Sequence, residues 1–541
     1  MSSKVATYLR SHLAGEVVAR ADVRERLGRD FGVLEITPEL AVYPRTTNDV
    51  RKVARFSWQL AEKGHVLPIT ARGAGAGTSG GALGKGVALV TTAHMNRVFE
   101  YDSKQYLVRV QPGVSLGALS QALGLHGAWV PQFTGRYPVG TIGGMIGDGV
   151  EGIYAGKYGR LGGAVDKLEV VLANGDVLQT GRVSKRDLNK KKGLQGLEGD
   201  IYRGVDAILE DYADVFESLR VDDATGYNAI ADIKQKDGSI DLTPLFIGSQ
   251  GTLGVVTEMI LKTGLRNTKI AAAALVFNAA EDARDALDPL CDLKPMFVEY
   301  FDARLFKTAE KRGKAYGFYK EVSHSSSTEA IVLIGFDDFN ERQRNKSLKK
   351  AAKIAEKTHG EIVTRSGEDA LDVLAALDVA TYSSDPDSKN ESAPNIFDGF
   401  QVPAERLEDF MKGLAELEHK LRIDLPISGH AHTGVYSVHP AFQLSKVGDK
   451  QKILKLLEEL TKVVVAYGGS IISGSGEGRL KSHFAYAHLD DRLKEMHAAI
   501  RKVFDPLGTL NPGVKQDTDM RKLAEMLHGG YGPAENARFG G

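Results

Sequence analysis

The stretch "ARGAGAGTSGG", Ala71 to Gly81, constrains this chain more than any other. Gly75-Ala-Gly77-Thr-Ser-Gly80 matches the G-x-G-x-x-G fingerprint of dinucleotide-binding loops letter for letter. That fingerprint has to open a helix, because the helix N-terminus holds the pyrophosphate. Here the glycines run on into "GALGKGVALVTT", and Gly81, Gly84 and Gly86 are poor helix residues. The next element reads as a strand, so a Rossmann helix and NAD chemistry are rejected. So many glycines are entropically costly in a plain turn. They suit a loop whose free backbone N–H groups wrap an anionic ligand without a helix. Arg72 stands beside the loop to add charge-assisted bonds.

The surroundings alternate strands and helices. "LAVYP" reads as a strand and is followed by a helix capped at Thr46 or Thr47 and closed near Gly64. "HVLPITA", "GVALVTT" and "YLVRVQPG" read as strands and "VSLGALSQAL" as a short helix. "KLEVVLANGDVLQTG" reads as a hairpin with a two-residue Asn174-Gly175 turn. After Arg266, Ala- and Lys-rich helices alternate with strands such as "AIVLIGF", which marks a second α+β domain. The polar run Asp378–Asn395 reads as an exposed loop or lid, and the tail from His528 as mobile.

The net charge of −1 supplies no field for nucleic acid. The basic run Ser184–Lys192 reads as a solvated loop. One cysteine, Cys291, excludes an internal disulfide and a cysteine-ligated cluster within this chain. A lone thiol suits a reducing cytosol, so a cytoplasmic location is expected. No uncharged apolar run approaches the roughly 20 residues of a membrane helix; peripheral contact at the inner face of a membrane stays open.

Five blocks occur in order: the glycine loop, "VQPGVSLGALSQAL", "VGTIGGMIGDGVEG", "KYGRLGGAVDKLEVVLANGDVL" and "LFIGSQGTLGVVTE". With "FDPLGTLNPGVK" near the end, the chain resembles the FAD-linked oxidases of the vanillyl-alcohol-oxidase (PCMH-type) superfamily. The likeness is to the branch of D-lactate dehydrogenase and the glycolate oxidase flavoprotein subunit. The resemblance implies an α+β fold. After a helical segment at 1–37, a PCMH-type FAD domain of two α+β subdomains would span 38–265. An α+β substrate (cap) domain would span 266–500, and 501–541 would return to the flavin. The diphosphate would lie on Arg72, Gly73, Ala74, Gly75, Ala76, Gly77, Ser79, Gly80 and Gly81. Thr141, Ile142, Gly143 and Gly144 would line the flavin. Gly251, Thr252, Gly254 and Val255 would close the nucleotide pocket, and Asn511 would lie near the isoalloxazine. Relatives with covalent flavin carry a histidine in the glycine loop, and this loop has none, so noncovalent FAD is expected.

The catalytic half departs from the pattern. "ISGHAHTGVYSVHP" holds His430, His432 and His439. His432 and His439 keep the family's spacing of a His, six residues and a His. Metal-dependent members hold a divalent ion such as zinc on these and a downstream carboxylate. A ligand cluster and a polar structural strand are both open readings here. The family pattern S-G-E-H-G-[IV]-G meets "SIISGSGEGRLKSHF". One alignment puts Ser475 at the carboxylate position; the other puts Glu477 there and Gly478 in place of the His. Glu477 is the candidate ligand and His483 the candidate base. The Trp-x-x-Arg element that clamps a substrate carboxylate is absent from "VLAALDVATYSSD", leaving Arg365, Lys389 or Lys481 as stand-ins.

The resemblance therefore implies FAD-dependent oxidation of a small 2-hydroxy acid, of D-lactate or glycolate type. Electrons would pass to a quinone, a partner protein or oxygen. Two alternatives stay open: the same flavin fold acting on a sugar, lactone or other alcohol, and a degenerate flavin-binding subunit of a partner complex.

Overall fold

The computed structural model describes residues 2–133, 138–219, 227–322, 327–384, 394 and 396–529. The chain divides into two units. The first comprises 1–151, 161–264 and 472–527, and the second 152–160, 265–471 and 528–541. The partition falls at Gly264/Leu265 and Ile471/Ile472, against 265/266 and 500/501 in the sequence reading.

The first unit contains two subdomains with separate cores. In one, strands Leu40–Tyr43, Val87–Val90 and Ile69–Arg72 lie side by side and parallel, and Glu16–Val18 joins antiparallel at the edge. Val50, Val53 and Ala54 recur at helical spacing in helix Thr47–Glu62 and are buried with these strands. In the other, an antiparallel sheet runs in the order Val98–Asp102, Leu107–Val110, Val255–Lys262, Val165–Val171 and Val177–Gln179. The helices Leu197–Asp211 and Asp491–Phe504 bury Ile201, Val205, Met496, Ile500 and Phe504 in this core. Ahead of that stripe, Gly476 N–H bonds the Asp148 carbonyl and Arg479 N–H the Ser79 carbonyl, which ties the returning segment to this unit well before the helix.

The hairpin at Asn174 departs from the two-residue turn. Gly175 N–H donates to the Leu172 carbonyl, and the strands resume pairing at Val171 and Val177. Gly175 takes φ +85° while Asn174 does not go left-handed. The Asn174 amide oxygen instead accepts from the Asp176 N–H, which lengthens the loop.

The second unit is built on a seven-stranded antiparallel sheet. Its order is Glu361–Ser366, Ala271–Phe277, Ala330–Phe336, Phe297–Asp302, Ile427–His430, Val435–Val438 and Phe397–Gln401. Ala271–Phe277 and Ala330–Phe336 are buried at every position, as central strands covered on both faces must be. Lys389, most of the expected lid and the tail beyond 529 lie outside the described residues. Among the described residues no helix is long and apolar enough to cross a membrane.

Candidate functional site

In the first unit, strand Ile69–Arg72 delivers the chain into the glycine loop, and the loop leads to a strand, Val87–Val90, rather than a helix. Gly80 adopts φ +75°, a conformation open to glycine and strained for residues with a Cβ. Buried side chains hold the loop open. Asp30 accepts from the N–H groups of Gly32 and Gly80, both at 2.9 Å. Burial pushes the Asp30 carboxyl up to about 6, against the pull of those bonds and of Arg72. Arg72 donates to the Arg29 carbonyl at 2.7 Å, so its guanidinium also braces the loop.

The C-terminal return fastens the other side. Thr509 and Asn511 bond to both backbone groups of Ile69. The Asn511 amide nitrogen donates to the carbonyls of Gly81 and Gln250, at 2.8 and 2.7 Å. Its oxygen accepts from Arg479 and Thr70. All four of its hydrogen-bonding valences are thus spent on protein, which makes it a strut between loops. Arg479 also donates to the Gly80 carbonyl, and full burial pushes its guanidinium down to about 9. Gln250 donates to Asp148 and accepts from the Gly478 N–H, both at 2.9 Å.

These bonds frame an open cavity whose void, solvent space included, is about 650 Å³. Of the expected cofactor residues, Arg72, Gly73, Gly81, Gly143, Gly144, Gly251, Gly254 and Val255 line it. Ile142 and Thr252 are turned into the protein instead, and the Thr252 hydroxyl is held by Ser249 and Tyr227. Thr91, Pro112, Asp148, Phe246, Ser249 and Gln250 also line the cavity and were missed in the sequence. A Cβ on Gly73 would stand 1.9 Å from the Thr141 hydroxyl, so the wall itself requires a glycine. A wall of glycines, with no side chains to fill the space, fits FAD.

Among the described residues no three His, Cys, Asp or Glu side chains come together to hold an ion. Glu477 is fully buried in the first unit and ion-paired at 2.7 Å with the equally buried Lys515. That pairing engages Oε2, while Oε1 is buried without a hydrogen-bond partner. His483 donates from Nδ1 to the Thr518 carbonyl at 2.6 Å. Lys481 is buried on Ser475, and Arg365 is bridged to Glu321, so neither stands free as a carboxylate clamp.

In the second unit, His430 ends one strand of a hairpin, His432 sits in the turn and His439 follows the return strand. His439 Nε2 lies 2.8 Å from the Ser428 hydroxyl. The His432 ring bonds the Pro295 carbonyl, and burial pulls its pKa down. His430, which no motif selected, lies against Glu299: Nδ1 is 2.8 Å from both carboxylate oxygens.

Residues 38–181 match the family described as FAD binding domain, and residues 266–514 match the C-terminal domain of FAD linked oxidases. The chain belongs among the FAD-linked oxidases. It is 26% identical to the glycolate oxidase subunit GlcD of Bacillus subtilis over 90% of each chain. It is 25% identical to a D-lactate dehydrogenase of Archaeoglobus fulgidus over 88% of this chain and 90% of that one. A D-2-hydroxyglutarate dehydrogenase of Pseudomonas putida is 25% identical over 93% of this chain, which spans 50% of its length. The solved 4-ethylphenol oxidase of Gulosibacter chungangensis shares the fold at a TM-score of 0.69 and 16% identity, over 96% and 98% of the two chains. This FAD-linked oxidoreductase thus stands in the branch of glycolate oxidase and the D-lactate and D-2-hydroxyglutarate dehydrogenases.

Proposed function

We propose that this enzyme oxidises a small 2-hydroxy acid, of D-lactate or glycolate type, with noncovalently held FAD. The observation that carries the reading is the glycine-walled cavity of the first unit, fastened by Asp30, Arg479 and Asn511. Its glycines carry no side chain, which lets a diphosphate approach the backbone closely. Gly73, Gly143, Gly144 and Gly251 would hold the cofactor, and the loop's lack of histidine leaves no site there for a covalent link. Bound FAD would accept a hydride from the carbon bearing the hydroxyl. The relatives named for glycolate, D-lactate and D-2-hydroxyglutarate support the substrate class. The acceptor is a quinone, a partner protein or oxygen.

A second reading has its own observation. Arg365 and Lys481 are engaged with Glu321 and Ser475, which favours an alcohol, sugar or lactone that brings no carboxylate. Anaerobic absorbance separates the two. D-lactate, glycolate and D-2-hydroxyglutarate are titrated into the purified protein, with and without EDTA. Bleaching by one acid is the expected result, and loss of bleaching with EDTA would restore the metal to the site. A flavin that dithionite bleaches and none of the acids does would move the substrate to the second reading.

A further inference from the structure

One face of the second unit's sheet carries a cleft that no motif marked. Register sets Tyr300 opposite Gly429 and Gly429 opposite Tyr436, so the three lie abreast on that face. The glycine makes the room: a Cβ on Gly429 would stand 2.1 Å from the Tyr436 ring. Helices Ala280–Cys291 and Leu407–Leu421 wall the cleft and are tied together by Arg284 on Glu408 at 2.6 Å. Its void, solvent space included, is about 1230 Å³, which leaves room for an extended small molecule. Tyr436 lies in it with Leu287 and Leu407, and every lining residue belongs to the second unit.

The two tyrosines are held differently. The Tyr300 hydroxyl is bonded to Arg284. Tyr436 is only 2% exposed, yet among the described residues no hydrogen bond reaches its hydroxyl. Burial pushes the Tyr436 phenol up, so it stays a neutral O–H that can donate or accept. A buried tyrosine hydroxyl ordinarily has a partner, and a ligand in the cleft would supply one.

A second observation gives the ligand its charge. Glu281, Asp285 and Asp288 line the same cleft at i, i+4 and i+7 of one helix, a spread of about 10 Å along its axis. All three are exposed, and among the described residues no cation pairs with them. The cleft's own cations, Arg284 and Lys412, are both turned to Glu408. The Asp288 carboxylate acts on the Tyr436 hydroxyl, which brings the acidic wall and the unbonded O–H together. Among the described residues no three such donors converge on one point to hold a metal ion. Carboxylates strung along two helical turns beside apolar side chains instead match amines separated by methylenes.

We propose that this cleft binds a linear polyamine. Its ammonium groups pair with Asp285, Asp288 and Glu281, and its methylenes lie on Leu287, Leu407 and the Tyr436 ring. The Tyr436 hydroxyl accepts from one ammonium. The site shares no residue with the glycine-walled cavity and does not depend on the hydroxy-acid reading.

The test is isothermal titration of the FAD-loaded protein with spermidine. One site per chain is expected, weakening as salt is raised, with n-pentylamine binding about tenfold more weakly or worse. Asp285→Asn combined with Asp288→Asn should weaken spermidine by about tenfold, and Tyr436→Phe by about threefold, with flavin content unchanged. Glu356→Gln, at an exposed carboxylate elsewhere in the second unit, should bind as the wild type does. Absence of saturable binding overturns the proposal. So does Tyr436→Phe binding as tightly as the wild type, or an equal loss in Glu356→Gln, which would mean a diffuse attraction to acidic surface. A doubly blocked Lys-Lys dipeptide that binds more tightly than spermidine would also overturn it, in favour of a basic protein segment.

Discussion

The cavity of the first unit is walled by backbone, whereas the polar face of the second unit is made of side chains. In the first, Gly73, Gly81, Gly143 and Gly144 present bare backbone, with the Gly143 and Gly144 N–H groups bonded to Pro112 and Thr141, while Asp30, Arg479, Asn511 and Gln250 stand behind and fasten the loops. In the second, Glu299, His430, Ser428 and His439 present their own polar atoms on an antiparallel frame. A backbone wall suits a ligand held whole, such as a diphosphate. A side-chain face suits a group whose protonation must change. The first region should therefore fail through packing and burial, and the second through loss of one functional group.

The largest effect is expected at Lys515. Replacing it with Ala leaves Glu477 buried without its cation and should cost about 3–5 kcal/mol in urea unfolding. The paired change Glu477→Gln with Lys515→Met should recover most of that. A mild Lys515→Ala phenotype would break the contrast, because the first region would then not depend on its buried pair.

Gly73→Val comes next. The new Cβ collides with Thr141 and should cost on the order of 3 kcal/mol, or about 100-fold in FAD affinity. Bound-flavin absorbance per protein checks it. Asp30 supplies a pH signature of similar size. Its folded pKa of about 6 lies above the ordinary 3.8, so the carboxyl favours the folded state when protonated. That contribution, on the order of 3 kcal/mol, is complete below pH 3.8 and is lost as pH rises through about 6. Urea midpoints across that window should fall with pH in the wild type and lose this component in Asp30→Asn.

The smallest effect is expected at Arg365→Ala. Its bridge to the half-exposed Glu321 is worth less than about 1 kcal/mol. Flavin reduction by the acid should keep its KM. A large rise in KM would return Arg365 to the role of carboxylate clamp and sharpen the second region's chemistry.

The two regions also differ in how far the sequence exposes them. Glycine loops are local signals, so Gly73 and Gly81 stand out by inspection, whereas Gly143, Gly144, Gly251 and Gly254 came from the family resemblance. Their struts do not stand out, because Arg479, Gln250 and Asn511 reach the loop across hundreds of residues. Asn511 was read as a flavin neighbour from its motif, and its four bonds to protein became visible only in the fold. The spacing of His432 and His439 suggested a ligand pair. The hairpin places His439 Nε2 beside Ser428 and sets His430 against a glutamate 131 residues away. Glu477 matched a carboxylate pattern, and the C-terminal return brings Lys515 within 2.7 Å of its Oε2.

The most direct measurement is a titration of flavin-stripped protein with FAD, followed by absorbance, in the wild type and in Gly73→Val. The account predicts saturable binding of one FAD per chain with a perturbed flavin spectrum, and its loss in the variant. Absence of binding in the wild type, or equal binding in both, would contradict it.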